Sequence, residues 1–426
     1  MRHLQVSLIV LLVACGGSQG PVDVHGLVLG GDGQPQEGAL VSVAGRPAIQ
    51  TAADGTFTEA QVQVPYEVIV GLTQTGVARS FAASWQGLTR ANPVLALASG
   101  WPQPARNGIA CGSAAGAAIL PSGSRPYVFL EAPGASAALN FVQPDGTWCA
   151  SARWFGPTQI QAVAHALQVD TSSSPGDTVA VGFPRYGRSA AVTLLDNQTA
   201  GNADIALAPL AAGALRVGTS LRSGQTAIFS ASVFFGPTGG QAEGIPLAWV
   251  GSGPPWPDVA IPAIDGAQIS AWIVGTEPAG VSTVQRSFRS GGTIVWNPSL
   301  PSQPLPASPP EGATISAGTR FSWTPASLSG VHALEITADQ TAGTPLTIIQ
   351  VIAAGTSAAL PDPAAVGVAL PAAAQAHWLV RGIGPLATID ELASPERLGM
   401  ALHSGAGQAE MQMSASAPRG LTFAAK

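Results

Sequence analysis

The sequence predicts an all-β protein built from tandem antiparallel β-sandwich domains. Three observations point there. The 426 residues include 51 Gly and 36 Pro, which leaves little room for long helices. Strand-length runs of alternating apolar and polar residues recur along the chain, separated by turn residues. Past residue 15 no stretch of 18 apolar residues occurs, so a mean hydropathy of +0.28 belongs to sandwich cores rather than membrane helices.

The charge balance narrows the partners. Eighteen cationic residues stand against 24 acidic ones, for a net charge of -6. The Arg residues are scattered and Lys426 is the single Lys, so there is no basic stripe for nucleic acid.

Residues 1–14 read as a secretory signal, with a cationic Met1-Arg2-His3 start, an apolar run from Leu4 to Val13 broken by Gln5 and Ser7, and a small-residue cleavage site. Ten helical residues reach about 15 Å, half of a roughly 30 Å hydrocarbon core, so this segment makes no permanent span. Leu12-Val13-Ala14-Cys15 resembles the bacterial lipobox. That resemblance implies a lipoprotein whose mature chain begins at an acylated Cys15. The alternative is an ordinary signal peptide with a chance cysteine. Gly16 in place of Asp after the lipidated residue implies sorting to the outer membrane, and a triacylated N-terminus would anchor stably there. Residues 15–21, glycine-rich, serve as a tether.

Residues 22–98 carry the clearest strand pattern: Val24-His25-Gly26-Leu27-Val28, Gly31-Asp32-Gly33-Gln34-Pro35, Gly38-Ala39-Leu40-Val41-Ser42-Val43, Thr51-Ala52-Ala53-Asp54-Gly55-Thr56-Phe57 and Tyr66-Glu67-Val68-Ile69-Val70. In that order the motifs resemble the carboxypeptidase regulatory-like domain, a transthyretin-like seven-stranded sandwich. The resemblance implies a fold and an accessory module, not a reaction.

Over residues 101–212 strand-like runs recur at Ala117 to Leu120, Tyr127 to Glu131, Ala138 to Val142, Gln159 to Ala166, Thr178 to Phe183 and Asp204 to Ala208. Asp145-Gly146-Thr147-Trp148 echoes Asp54-Gly55-Thr56-Phe57, the mark of a degenerate repeat of the first sandwich. A further sandwich over 213–297 takes Ala214 to Val217, Ala227 to Phe235, Pro246 to Val250, Gln268 to Val274, Ser282 to Phe288 and Thr293 to Trp296. Six prolines between Pro298 and Pro310 favour an extended, semi-rigid linker.

Residues 311–426 hold Thr319-Arg320-Phe321-Ser322-Trp323, His332 to Thr337, Leu346 to Ile352, His377-Trp378-Leu379-Val380-Arg381-Gly382 and Arg419 to Phe423. The proline-led entry, the early Trp and the late x-W-x-V-x-G strand resemble a fibronectin type III or related immunoglobulin-like module. Residues 387–413 are less β-like and leave room for a short helix.

Lipidation of Cys15 leaves Cys111 and Cys149, a pair expected to form a disulfide in an oxidising compartment, with two buried thiols as the alternative.

Chemistry-bearing patterns are sparse. His332-Ala333-Leu334-Glu335 fits the H-x-x-E of zinc carboxypeptidases, but on a strand residues three apart face opposite ways, so no metal site is expected there. The sequence has no H-E-x-x-H or Walker loop. The turn acids Asp32, Asp54, Asp145 and Asp265 lack the alternating acids of a calcium loop. Ten Trp residues remain, of which Trp101, Trp249, Trp256, Trp272 and Trp296 concentrate in the middle modules. Pro254-Pro255-Trp256-Pro257 reads as a loop tip displaying its ring, which makes Trp256, with Trp249 and Trp272, the candidate ligand-binding set.

The expectation is a non-catalytic cell-envelope lipoprotein acting in binding, adhesion or scaffolding, without cofactors. It would meet the membrane through its anchor and an envelope protein or polysaccharide through its sandwiches. The alternatives are a carbohydrate-binding surface lipoprotein using exposed Trp residues and an uncharacterised hydrolase or metal-binding protein.

Overall fold

The computed structural model describes residues 20–31, 33–74, 79–97, 105–116, 126–132, 134–235, 244–327, 330–338, 346–395 and 410–425. Cys15 with its signal segment, Asp32, Trp101 and the strand expected at Ala117 to Leu120 lie outside the described residues. Within them the chain is almost all β.

The first sandwich contains β1 (Val22–Leu29), β2 (Leu40–Val43), β3 (Ile49–Gln50), β4 (Thr56–Val62), β5 (Tyr66–Gln74), β6 (Arg79–Leu88) and β7 (Val94–Ala96). Alternation sets the inner face: Val24 and Val28 of β1 and Phe57 of β4 are buried, whereas Asp23, His25 and Thr58 are exposed. Two sheets result, β4-β1-β7 and β3-β2-β5-β6, with β1 antiparallel to β4 and parallel to β7.

The second sandwich contains β8 (Arg106–Ala115), β9 (Tyr127–Glu131), β10 (Ala135–Ala137), β11 (Asn140–Phe141), β12 (Thr147–Trp154), β13 (Gln159–Ser174), β14 (Asp177–Arg188), β15 (Val192–Leu195), β16 (Gln198–Ala200) and β17 (Ile205–Ala206). The third contains β18 (Ala212–Val217), β19 (Thr226–Phe234), β20 (Ile245–Val250), β21 (Val259–Pro262), β22 (Gln268–Glu277), β23 (Gly280–Arg289) and β24 (Thr293–Trp296). Strand for strand, β21-β18-β24 and β20-β19-β22-β23 reproduce the order of the first sandwich, down to a parallel pairing of first and last strands. The second follows the same plan as β12-β8-β16 and β11-β9-β13-β14, with β10, β15 and β17 added. The shared Asp-Gly-Thr turn is also built alike. Asp54 accepts from the Thr56 backbone N–H and hydroxyl at 3.1 and 2.6 Å, and Asp145 accepts from those of Thr147 at 2.9 and 2.7 Å.

The fourth sandwich contains β25 (Leu305–Ser308), β26 (Ala313–Ile315), β27 (Arg320–Thr324), β28 (Val331–Ala338), β29 (Leu346–Ala354), β30 (Ser357–Ala359), β31 (Gln375–Gly384), β32 (Met411–Ser416) and β33 (Arg419–Phe423), with α1 (Ile389–Leu392) after β31. β25-β27-β30 faces β29-β28-β31-β33-β26 across buried Phe321, Trp323 and Trp378, an arrangement like that of immunoglobulin-like sandwiches. The segment 387–413 holds the short helix α1, capped by the Thr388 hydroxyl, and then the first residues of β32.

The larger sheets of the four sandwiches are hydrogen-bonded into one. The path runs β3-β2-β5-β6, crosses to β29-β28-β31-β32, then to β23-β22-β19-β20, and ends on β14-β13-β9-β11. It never returns to a strand already passed, so this sheet is open. In space the sandwiches therefore stand in the order first, fourth, third, second.

Each crossing is reinforced by side chains. At the first, β6 and β29 pair in parallel from Arg79 opposite Leu346 to Gln86 opposite Ala353. There Asp390 of α1 accepts from the backbone N–H groups of Thr89 and Arg90 at 3.0 and 3.2 Å. Backbone approach is so close that a Cβ on Gly71 would lie 2.2 Å from the Val366 carbonyl oxygen. At the second crossing, a Cβ on Gly280 would lie 2.0 Å from the Ala415 carbonyl oxygen. At the third, β20 pairs with Asp177 to Val179 of β14, and Asp177 accepts from the Gly251 N–H at 2.8 Å.

The Pro-rich segment 298–310, expected as a spacer, is held from both sides. Pro301, Pro304, Pro306 and Pro309 are buried, and Leu305–Ser308 pairs with β27. Arg222 of the third sandwich donates to the carbonyls of Leu300 and Pro301 at 2.9 and 3.1 Å. Ser302 and Ser327 each donate a backbone N–H to the other's hydroxyl, at 2.8 and 2.9 Å.

Cys111 and Cys149 form a disulfide, directly opposite each other across β8 and β12. Closing a chain separation of 38 residues is worth about 4 kcal/mol on the chain-entropy estimate. The Cys111→Ser, Cys149→Ser double variant is expected to unfold at a correspondingly lower urea midpoint. At the first crossing, Gly71→Val is expected to cost about 1–3 kcal/mol by overpacking, read as a lower Tm. Gly182→Ala, with no atom within 4 Å of the added Cβ, is expected to leave Tm unchanged.

Candidate functional site

The outer face of the third sandwich's larger sheet carries the most distinctive exposed group. Alternation along β19, β22 and β23 turns Phe229, Ala231, Ile273 and Val284 into the core. The other face presents Ser230, Trp272 and Gln285, aligned in one row across the sheet. Thr178 of β14 lies opposite Trp249 of β20, Trp249 opposite Ser230, Ser230 opposite Trp272, and Trp272 opposite Gln285. The two Trp residues stand two strands apart, about 9.6 Å by strand spacing, on either side of a serine. Their rings lean together to a centroid distance of 5.7 Å at 75°, an edge-to-face pair. Trp249 is 48% exposed and Trp272 is half-buried. Below the rings Gln285 donates to the Ser270 hydroxyl at 3.0 Å.

The structure thus brings Trp249 and Trp272 together and separates them from Trp256. The expected display of Trp256 on a loop tip is corrected: its ring is 7% exposed and packs against Phe229 at 5.4 Å. The prolines stiffen that segment, but an indole of this size gains more by filling the core beside β21 than by standing in water. Trp296 is also buried, edge-on to Phe288 at 5.6 Å, and its Nε1–H donates to Glu410 at 3.0 Å.

A second cluster was not visible in the sequence. His165 of β13 lies between Glu131 of β9 and Tyr186 of β14, with Nε2 2.8 Å from the Glu131 carboxylate and Nδ1 2.9 Å from the Tyr186 hydroxyl. Its ring stacks on Phe235, just beyond β19 of the third sandwich, at 4.1 Å and 12°. The cluster therefore belongs to the contact between the second and third sandwiches, where His165 is 3% exposed. Burial lifts the Tyr186 hydroxyl to about 12, and the hydrogen bond from His165 holds the Glu131 carboxyl below its ordinary value. Separations of 34 and 21 residues give no motif. Only the folded register assembles it.

The H-x-x-E pair divides as strand geometry requires. His332 is 1% exposed and packs against Trp323, while Glu335 pairs with Arg381 at 3.2 Å. Burial lowers the His332 pKa, so the ring is held neutral. Among the described residues no group of three or more His, Cys, Asp or Glu side chains could hold a metal ion. Asp54 and Asp145 are drawn below the ordinary aspartate range by the hydroxyls of Thr56 and Thr147, which are turn bonds.

No family model matches the chain, and no curated protein matches it. Among solved structures the chain is similar to the Bacillus anthracis TIE protein, with 9% identity over 66% of this chain, 51% of that one and a TM-score of 0.16. It is similar to the major pilin subunit BcpA of Bacillus cereus, with 8% identity over 66% of this chain, 99% of that one and a TM-score of 0.15. The FN1–FN3 domains of chicken CNTN1 give 13% identity over 61% of this chain, 83% of that one and a TM-score of 0.16. At TM-scores this low the overlaps carry no information about activity or partners.

The Glu131–His165 contact has a pH signature. A carboxyl whose folded pKa is lowered contributes stability that is complete above its ordinary value of 4.5 and is lost as pH falls through the lowered folded value. Wild-type unfolding midpoints in urea, measured from pH 7 down to pH 3, are expected to fall more steeply below 4.5 than those of Glu131→Gln. At pH 7 the variant is expected to be the less stable of the two.

Proposed function

We propose that the chain is a non-catalytic structural or adhesive component of the bacterial cell envelope, anchored by an acylated Cys15 and presenting four sandwiches as one body. The observation that carries this reading is the sheet that passes through all four sandwiches. Domains joined by flexible linkers move independently, whereas domains sharing backbone hydrogen bonds transmit load and hold a fixed spacing. The polar clusters support the same reading because they are engaged in contacts between sandwiches. Both ring nitrogens of His165 are bonded within the protein, Asp390 holds the loop after β6, and Arg222 holds the Pro-rich segment.

The anchor follows from the lipobox resemblance at Leu12-Val13-Ala14-Cys15, and outer-membrane sorting from Gly16. Expression in a Gram-negative host with radiolabelled palmitate tests it. The wild-type chain is expected to take up label and to sediment with outer membranes, and Cys15→Ser to do neither. Label retained by the variant, or a mature N-terminus other than Cys15 by mass spectrometry, would refute the anchor. Crosslinking in intact cells tests the scaffold role, with reproducible envelope partners expected on the sandwich faces.

A further inference from the structure

We infer that the Trp249–Trp272 ledge on the outer face of the third sandwich is a binding site for a neutral polysaccharide. The observations behind this are the chemistry of the ledge and its freedom from any structural task. Trp249 is half exposed, and the core beneath its strand is filled by residues of the other face, Leu247 and Val250 among them. Trp272 meets it edge-on and fixes its orientation, so the exposed indole is a rigid platform. One face of a pyranose ring is a patch of C–H groups with hydroxyls around its rim. Such a ring needs a flat apolar surface bordered by uncharged hydrogen-bonding groups.

The ledge offers both, the surface from Trp249 and the bordering groups from exposed Thr178 and half-buried Ser232, Thr283 and Gln285. Along the row through the two rings the side chains are Thr178, Ser230, Gln285 and Met411, and the adjacent row on one side is Ile228, Val274, Thr283 and Met413. On the other side stand Ser232, which is half-buried, and Ser270 and Ser287, which are buried. None of these carries a charge, in a protein with 42 charged residues. Among the described residues of these rows an anionic polymer would find no cation, and a cationic one no carboxylate. Charge complementarity selects a neutral chain. A second copy of the protein is the competing occupant, and the area argues against it. A stable interface buries about 800 Å² per partner around several anchoring side chains. Among the described residues of these rows Trp249, half exposed, is the only large apolar side chain that is not buried or mostly covered.

The test uses the whole chain and four neutral hexasaccharides: cellohexaose, chitohexaose, maltohexaose and mannohexaose. Each is titrated while Trp fluorescence is followed, with calorimetry in parallel. At least one is expected to bind saturably, with Trp249→Ala weakening that affinity at least tenfold and Trp249→Phe by less. Both variants are expected to keep the wild-type Tm, since Trp249 lies outside the core. The proposal is overturned if none of the four binds, or if binding survives Trp249→Ala unchanged. It is likewise overturned if sedimentation equilibrium shows a dimer that Trp249→Ala dissociates while no sugar binds. The anchored scaffold reading stands or falls separately, on palmitate labelling and crosslinking.

Discussion

Backbone hydrogen bonding between the edge strands of neighbouring sandwiches is the constraint on which the rest of this structure depends. An isolated sandwich leaves a row of unpaired N–H and C=O groups at each edge of each sheet, a standing invitation to pair with another chain. Here β6, β29, β32, β23, β20 and β14 would each be such an edge, and each is paired with a strand of a neighbouring sandwich. The two ends of the path that runs through all four sandwiches, β3 and β11, are strands of two residues. Edges that short hold little template for a stranger. The same pairings fix where the sandwiches stand, which backbones touch at Gly71 and Gly280, and why the Pro-rich segment is packed rather than free.

Side chains complete what the backbone begins. With 10% charged residues the protein has few ions to place, and several of them work where sandwiches meet: Asp390, Asp177, Arg222 and Glu410. The His165 cluster follows the same logic, as a polar group on the outer face of one sandwich becomes buried when Phe235 of the next covers it. A covered polar group must find partners within the protein, and Glu131 and Tyr186 supply them. Around Trp249 and Trp272 the neighbouring side chains of the outer face are uncharged, and the indole pair stands out against them.

Much of this architecture was legible in the sequence because most strands have one wet face. Strand-length runs gave β9 and β24 with the same bounds as the structure, and the Asp-Gly-Thr turns marked corresponding corners of the first and second sandwiches. Strands escaped the reading where alternation fails. Ser80 to Trp85 of β6 are buried without interruption because a neighbouring sandwich covers their second face. β8 escaped for another reason, since Gly108, Ala110, Gly112 and Ala114 make a face too small to register as hydrophobic. Trp256 was misread because a proline-flanked Trp looks the same in a sequence whether its loop turns outward or folds back. The edge pairing between sandwiches leaves no local mark at all, since any strand can pair once the register brings it to an open edge.

The order of the sandwiches in space has a consequence for the history of the chain. Synthesis delivers them as first, second, third and fourth, but the fourth occupies the gap between the first and the third. Until β28 to β33 have been made, β6 and β23 are long strands with one edge each left without a partner. The pairing of β6 with β29 joins residues more than 260 positions apart, a slow, non-local closure of the kind that sets folding time. The last segment to be made is thus the keystone. If the first three sandwiches fold before it arrives, two adhesive edges stand exposed until the fourth closes on them, the condition in which a holding chaperone has most to offer.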